Sequence, residues 1–216
     1  MPETKNVAIL AARPITEFYM QTSAFDASYY RRYYTNPATA VVTKAAARAE
    51  VRFVLAFCDH IGVDIRRFAD VGAGTGWWAK EFSRQRPRCG AIETYDASSD
   101  AVRLYGHRKL SIERLGGRPA DLIVCRDVLR YIPQAPAKEA IRRLARKCRG
   151  VLYLHVIASD DEVDEAASDM TGYFRPARWY LRQLASAGFL NAGMGLFVSK
   201  RCTVFDPFVI EVLRDR

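Results

Sequence analysis

Long apolar runs and paired cysteines are both missing from this sequence. No apolar stretch approaches the roughly 18 residues that a membrane-spanning helix needs. The five cysteines are scattered, and no two of them show the CxxC spacing that is typical of zinc sites. Internal repeats and low-complexity tracts are also absent. We therefore expect a cytoplasmic globular protein with reduced thiols, no metal and no membrane partner.

Lysine is also scarce, although the chain is basic. Its 216 residues include 33 basic and 24 acidic side chains, which gives a formal net charge of +9. Seven of the basic residues are lysines and 26 are arginines. An excess of this kind indicates a nucleic-acid partner, an anionic substrate or solvated arginine-rich faces.

Short apolar segments alternate with helical segments along most of the chain. Apolar residues at three- and four-residue spacing predict a first helix over 43–60. The predicted strands follow at 67–71, 90–95, 109–115, 121–125 and 151–158, with helices between them. The segments 195–199 and 208–213 are predicted to form a closing hairpin. The alternation is typical of an α/β sandwich with a mostly parallel sheet, which binds ligands at the carboxyl ends of its strands.

A glycine-rich segment lies where the first predicted strand meets a helix. Residues 70–76 read DVGAGTG. The dinucleotide fingerprint GxGxxG would need a glycine at Trp77, and a phosphate-binding loop would need a lysine followed by serine or threonine. NAD, FAD and nucleoside triphosphates are therefore disfavoured. Asp96 ends the next predicted strand, about 20 residues further on, where an acid is placed to accept the hydroxyls of a ribose.

Three segments together resemble class I S-adenosylmethionine-dependent methyltransferases. They are FADVGAGTG at 68–76, TYDAS at 94–98 and ADLIVCRDVLRYIP at 120–133, and the resemblance covers roughly residues 65–213. It implies a Rossmann-like, doubly wound sheet of seven strands in the order 3-2-1-4-5-7-6, with strand 7 antiparallel and helices on both faces. It also implies S-adenosylmethionine as cofactor and S-adenosylhomocysteine as product.

The resemblance also assigns cofactor contacts to positions of this chain. Asp70 and the glycine turn would face the methionine portion of the cofactor. Asp96 would hold the ribose, and Ala97 would lie beside the adenine. The acid that many relatives place after the third strand to contact the adenine is missing, and Leu115-Gly116 occupies that stretch. The positions assigned to the cofactor are Asp70, Gly72, Ala73, Gly74, Asp96, Ala97, Arg126 and Asp127.

Two further segments are expected to cover the site. Residues 1–60 would form an N-terminal helical cap, and the domain proper, 61–216, would carry a lid insertion at 159–180. In the cap, Tyr30 and Arg31 are candidates for binding the cofactor carboxylate. Aromatic and basic residues of both segments are candidate substrate walls, although they would serve equally to pack the two segments onto the domain. These candidates are Tyr34, Tyr173, Arg175 and Trp179.

The predicted lid is strongly acidic. Nucleic acid approaching this edge of the sheet would meet those acids, so we expect no nucleic-acid partner. The cluster suits an amine or another cationic substrate, unless it is only a solvated run of charge. The six acids are Asp160, Asp161, Glu162, Asp164, Glu165 and Asp169.

Catalytic groups are expected to be few, because a sulfonium methyl donor is already reactive and needs mainly an aligned nucleophile. His155, near the end of the fifth predicted strand, is the candidate general base, with a satisfied core histidine as the alternative. His60 and His107 are predicted to lie on the surface, away from the chemistry.

These features favour methyl transfer to an oxygen or nitrogen of a small molecule, by a monomer or homodimer. An RNA or protein methyltransferase and a catalytically silent cofactor-binding module remain the alternatives. No asparagine-proline-proline-tyrosine run follows the fourth predicted strand, which disfavours the base- and glutamine-methylating enzymes that use it.

Overall fold

A computed structural model describes residues 25–35, 44–164 and 168–213. A single mixed sheet of seven strands has the order β3-β2-β1-β4-β5-β7-β6. Strands β1 to β5 are parallel, and β7 runs antiparallel to both of its neighbours. The predicted fold class and strand order are therefore confirmed. The strands are β1 Arg67–Val71, β2 Ala91–Asp96, β3 Arg108–Lys109, β4 Ala120–Arg126, β5 Cys148–His155, β6 Phe189–Gly193 and β7 Leu196–Ser199.

Helices cover both faces of the sheet. Short 3₁₀ helices at Ile112–Arg114 and Leu129–Tyr131 follow β3 and β4, and a π-helical turn, Arg31–Thr35, follows α1. None of the described helices is long and apolar enough to cross a membrane. The helices are α1 Ala27–Tyr30, α2 Lys44–His60, α3 Trp77–Gln85, α4 Ser99–Tyr105, α5 Gln134–Lys147 and α6 Ala177–Ser186.

The sheet separates two apolar cores. Strand β4 is buried along nearly its whole length, and its side chains alternate between the cores, as the twofold period of a strand requires. Leu122 and Val124 pack on the side of α2 and α3, while Ile123 and Cys125 pack on the side of α5 and α6. Burial on both faces holds the strand ends, and hence the loops that follow them, in fixed positions.

The predicted first helix is confirmed, with Val51, Val54, Leu55 and Cys58 on its buried face. In α5, by contrast, Lys147 is only 1% exposed, although lysine is normally exposed. Its ammonium donates to Glu93 Oε2 at 2.8 Å and to the carbonyls of Gly116 and Arg118. Three acceptors for three N–H bonds compensate the loss of water.

The closing hairpin predicted between 195–199 and 208–213 is wrong in its second segment, whereas the first segment does form a strand. Strand β7 pairs with Phe189–Gly193 rather than with 208–213. The turn between them uses Gly193, Met194 and Gly195, all with positive φ, and glycine tolerates that conformation. Residues 208–213 are mostly exposed, and Leu213 makes one isolated bridge to Asn191. The third strand is also shorter than predicted, with only two paired residues.

We expect alanine at Gly150 to destabilise the sheet. A Cβ at Gly150 in β5 would lie 2.2 Å from the backbone oxygen of Asp121 in β4, so the central strand pair would have to separate. Overpacking of this kind costs about 1–3 kcal/mol. Urea denaturation of Gly150→Ala should show that loss, and Gly116→Ala, whose Cβ would approach nothing closer than 3.9 Å, should stay within about 0.5 kcal/mol of wild type. Equal midpoints would contradict this account.

Candidate active site

A cavity lies at the carboxyl edge of the sheet, where the loops after β1, β2, β3 and β4 meet. It brings together seven of the predicted cofactor residues, and the N-terminal segment supplies part of its wall. The residues that line it are Phe25, Tyr29, Tyr30, Val71, Gly72, Gly74, Asp96, Ala97, Ser98, Leu110, Ser111, Ile112, Glu113, Arg126, Asp127, Val128, Tyr131, Ile132 and Pro133.

The glycine turn after β1 forms one wall of the cavity. Gly72 has φ 74°, and a Cβ there would lie 2.1 Å from Val128 Cγ2, so no larger residue fits. The backbone N–H groups of Gly72 and Ala73 donate to the carbonyl of Tyr95, which fixes the turn against β2. Without side chains at positions 72 and 74, the main chain can approach a ligand closely.

Asp96 lies at the end of β2 on the cavity wall. Its Oδ2 accepts from the Gly74 N–H and its Oδ1 from the Ser98 N–H, both at 2.8 Å. Burial raises its pKa, although these two amide donors act in the opposite direction. Each oxygen of a carboxylate accepts about two hydrogen bonds, so both can still receive a donor from the cavity. The carboxylate is thus held in position to accept two neighbouring hydroxyls.

Asp70 lies at the base of the turn rather than on the cavity wall. It is buried, and its Oδ2 has no hydrogen-bond partner among the described residues. Burial, with a contribution from the negative charge of Asp96, raises its pKa to about 7. A buried acceptor without a donor costs free energy, which a positively charged ligand above the turn would help to recover.

His107 lies beneath the glycine turn, and its predicted surface position is wrong. It is 7% exposed, and its two ring nitrogens lie 3.0 Å from Thr94 Oγ1 and from the Gly74 carbonyl. The ring is brought there because β3, which begins at the next residue, pairs with the end of β2. His60 is exposed, as predicted. His107 therefore supports the turn.

Arg126 ends β4 and Asp127 follows it, and both residues line the cavity. The Arg126 guanidinium lies 3.0 Å from Glu50 Oε1 and over the Trp77 ring. Asp127 has φ 52°, which is uncommon outside glycine, and its N–H donates to the His155 carbonyl at 2.8 Å. The unusual backbone angle fixes the direction of the Asp127 side chain at the cavity wall.

The Asp127 carboxylate and the His155 imidazole form a pair at the ends of β4 and β5. Asp127 Oδ1 and His155 Nδ1 are 3.4 Å apart, which is long for a hydrogen bond but close enough for a strong charge interaction. Burial alone would raise the pKa of Asp127, but His155, Arg126 and Arg130 outweigh it and hold that pKa below its ordinary value. The His155 side chain is 45% exposed and is not among the residues that line the cavity.

The N-terminal segment covers one side of the cavity. Tyr30 is 5% exposed and packs against the glycine turn, where a Cβ on Gly74 would lie 3.6 Å from its ring. Arg31, the other candidate of this segment, is exposed and is not among the lining residues. The predicted substrate contact of Tyr34 falls on a side chain outside the described residues.

The predicted substrate residues of the lid do not line the cavity. Arg175 is buried, donates to the carbonyls of Leu129 and Ile132, and has the Trp179 ring 4.9 Å from its guanidinium carbon. Tyr173 belongs to the same group, because its N–H donates to the Arg130 carbonyl. These three residues therefore fix the turn after β4 and do not form a substrate wall.

The acids of the lid also have structural partners. Asp160 accepts from the N–H of Ala177 at the start of α6, and Asp161 accepts from the N–H of Ala158. Asp169 is 8% exposed and accepts from Tyr131. Because these three carboxylates already serve the backbone or a neighbouring side chain, the predicted acidic entrance for a cationic substrate loses much of its support.

Two stretches of the wall were absent from the predicted set. One follows β3 and includes Ser111 and Glu113, whereas the stretch expected there begins with Leu115, which is buried in the core. The other is the turn 128–133, which contributes Val128 and Tyr131. Both stretches could have been predicted, because every loop that follows a parallel strand opens at the same edge of the sheet.

A family model described as a methyltransferase domain matches residues 30–194, which is most of the chain. The chain belongs to this methyltransferase family. The enzyme class predicted from the sequence is thereby confirmed. Among curated proteins, no sequence matches at a significant level.

Solved methyltransferase structures share this fold at low sequence identity. Magnesium protoporphyrin IX methyltransferase from Synechocystis PCC 6803, crystallised with S-adenosylmethionine, has a TM-score of 0.59 and 19% identity over 88% of this chain and 99% of its own. A sugar N-methyltransferase from Streptoalloteichus has a TM-score of 0.58 and 19% identity over 92% and 97%. An amino pentose methyltransferase from Micromonospora echinaspora has a TM-score of 0.56 and 16% identity over 70% and 90%.

Proposed function

We propose that this methyltransferase transfers a methyl group from S-adenosylmethionine to an oxygen or nitrogen of a small-molecule acceptor. The family model identifies the chain as a methyltransferase, and one observation in the structure carries the rest of the proposal. The Asp96 carboxylate is fixed by two backbone amides beside a glycine turn that leaves the cavity open. The similar structures of a magnesium protoporphyrin IX methyltransferase with bound S-adenosylmethionine and of an amino pentose methyltransferase agree with this choice.

The cavity residues fit each portion of the cofactor. Asp96 would hold the ribose hydroxyls, the Gly72–Gly74 turn above buried Asp70 would face the methionine portion, and the wall at 110–113 would lie beside the adenine. When bound, the cofactor supplies a methyl group already activated on a sulfonium. The chain itself then orients the acceptor and keeps water out, and the aromatic wall of Phe25, Tyr29 and Tyr30 suits that exclusion.

His155 is our candidate for the group that accepts a proton from a hydroxyl acceptor. Its ring Nδ1 lies 3.4 Å from the Asp127 carboxylate, which lines the cavity, so the imidazole stands beside the cavity wall. An amine acceptor loses its proton to solvent before it reacts, so it would need no such base. The partial exposure of His155 leaves room for the proton to pass on to water.

Small acceptors are favoured over nucleic acid by the placement of the charges. On α5, where basic residues cluster, Arg142, Arg143 and Arg146 all lie within 3.7 Å of Glu139, so part of their charge is neutralised. The N-terminal segment also narrows the cavity. A nucleobase within a nucleic acid, or a folded protein, would have to displace this segment to reach the cavity.

Calorimetric titration with S-adenosylmethionine and S-adenosylhomocysteine tests the proposal directly. Both should bind one site per chain with dissociation constants in the micromolar range or below. Isotope-labelled methyl donor, offered with panels of small amines, small hydroxyl compounds and bulk RNA, should then label a small acceptor. If an alcohol is labelled, His155→Gln should lower the rate at least tenfold without changing cofactor affinity. Failure of both cofactor forms to bind would refute the proposal. Labelling of RNA alone would refute the small-molecule acceptor and favour an RNA methyltransferase instead.

A further inference from the structure

The hydroxyl of Tyr131 connects two segments from different parts of the chain: the N-terminal segment, which covers the cavity, and the segment 169–175, which packs behind the cavity wall. Tyr131 lies in the 3₁₀ helix after β4 and lines the cavity. Its oxygen is 3.0 Å from Tyr29 Oη on the N-terminal segment, 2.8 Å from Asp169 Oδ2 and 2.6 Å from Arg130 Nη2. No role in the proposed reaction uses these contacts.

The donors and acceptors in this cluster have only one consistent arrangement. Asp169 as a carboxylate only accepts and Arg130 only donates, so the single proton of Tyr131 goes to Asp169. Tyr29 must then donate its own proton to Tyr131. The Tyr131 hydroxyl donates one hydrogen bond and accepts two, which is its full capacity. The three partners are therefore satisfied together only in this arrangement.

The side of the cluster formed by Asp169 and Arg130 is firmly held. Arg130 is 3% exposed and donates to the carbonyls of Asp169 and Thr171. In the reverse direction, Arg175 donates to carbonyls of the turn that contains Tyr131. The two segments also pack closely, since a Cβ at Gly172 would lie 2.7 Å from the Arg130 carbonyl oxygen. Two buried arginines thus join segments about 40 residues apart into one body.

The N-terminal segment meets this body at Tyr131. Phe25 packs edge-on against Tyr131 with ring centroids 4.8 Å apart and against Tyr29 at 4.9 Å. The Ser98 hydroxyl also donates to the Phe25 carbonyl at 2.7 Å. The Tyr29–Tyr131 hydrogen bond is a polar link between this segment and the 129–132 turn.

We propose that Tyr131 is a positioning residue that anchors the N-terminal segment 25–33, which covers the cavity, to the segment 169–175 behind the cavity wall. The consequence for function, which rests on the proposed cofactor site, is that the Tyr131 hydroxyl sets how long the cofactor stays bound. Opening would have to break the Tyr29–Tyr131 bond, and a bound cofactor beneath the segment would have to wait for that opening.

The test uses Tyr131→Phe, Tyr29→Phe and the double variant, each of which keeps its ring. Stopped-flow release of S-adenosylhomocysteine should be about five- to tenfold faster in Tyr29→Phe and at least as fast in Tyr131→Phe, which also loses the bonds to Arg130 and Asp169. The double variant should release no faster than Tyr131→Phe, because the bond to Tyr29 is already lost there. Tyr33→Phe, on the same segment but outside the cavity wall, is the matched control and should behave as wild type.

Hydrogen exchange of the ligand-free protein gives a second readout that does not depend on the cofactor. Amides of residues 26–33 should exchange about five- to tenfold faster in Tyr131→Phe, while amides of β4 and β5 keep their wild-type rates. Unchanged exchange at 26–33 together with unchanged release would overturn the coupling, and so would additive effects in the double variant. If wild type fails to bind S-adenosylhomocysteine, the proposed function falls, and the exchange experiment alone decides the coupling.

Discussion

Asp96→Ala is expected to weaken binding of S-adenosylhomocysteine by about 100-fold or more, as measured by calorimetry. A hydrogen bond to a charged group contributes about 1.5–3 kcal/mol, and the variant removes acceptors for both ribose hydroxyls. It also releases the amides of Gly74 and Ser98, which Asp96 now holds at 2.8 Å. The loss of affinity therefore combines lost ligand contacts with a looser glycine turn.

Asp96→Asn separates these two causes. The amide keeps one oxygen to accept from a backbone N–H and is similar in shape, but it carries no charge and offers fewer lone pairs. We expect a smaller loss of affinity, about tenfold, and a modest fall in melting temperature, because the new amide nitrogen faces one of the two backbone donors. Asp100→Ala is the matched control, since Asp100 lies on the following helix and pairs with Arg103 on its surface. Wild-type affinity in Asp96→Ala would mean that the ribose is held elsewhere.

The strands and the glycine turn could be predicted because their signals are local. Residues 67–76 combine a short apolar run with closely spaced glycines, and the sheet places Asp96 two residues after Thr94, the partner of Asp70 on the neighbouring strand. Burial, parallel pairing and turn chemistry all favour the same local structure there. Where local and global preferences agree in this way, the structure can be predicted from the sequence.

The partners of buried charges could not be predicted in the same way. Lys147, Arg130 and Arg175 belong to residue types that are normally exposed, and each finds its acceptors in segments distant along the chain. Residue type alone would place all three at the surface, and Arg175 is among the residues that the sequence predicts as a substrate wall. Their carbonyl partners exist only after the loops have folded, and backbone acceptors leave no signal in side-chain composition.

The edge of the sheet shows a second limit. The segment 208–213 has the apolar composition of a strand, and 189–193 contains asparagine and glycine, yet the latter pairs with β7. What decided the pairing was the tight turn at 193–195, with three positive φ angles in succession. Turn geometry outweighed strand propensity, which is generally weak at a sheet edge.

Asp70→Asn is expected to stabilise the ligand-free protein above pH 7 while weakening cofactor binding. The pKa of Asp70 is raised from 3.8 to about 7 in the folded protein by burial and by the charge of Asp96. Between about pH 4 and 7 the folded chain therefore holds a proton that the unfolded chain has lost. Raising the pH through this range favours unfolding, and above about pH 7 the full cost of a buried charge is present.

Urea denaturation across pH 5–8 should reveal this cost. The variant should lack the wild-type decline between pH 5 and 7 and should be more stable at pH 8 by about 1–3 kcal/mol. Its amide can still accept from the Ala79 N–H, which favours the charged form in wild type. Asp121→Asn, which alters another acid with low exposure at the opposite end of the sheet, should lose stability instead, because Asp121 accepts from Arg149 and from the amides of Arg66 and Arg67.

Cofactor binding should show the opposite trend from stability. A cationic ligand above the turn favours ionised Asp70, so wild-type affinity should rise as the pH increases through about 7, with release of a proton on binding. The ligand amine titrates equally in both proteins, so the difference between wild type and Asp70→Asn isolates Asp70. We expect the variant to bind about tenfold more weakly at pH 8 and nearly as well as wild type at pH 6. Parallel pH profiles for the two proteins would show that the Asp70 charge serves no ligand, and its destabilising burial would then lack a functional reason.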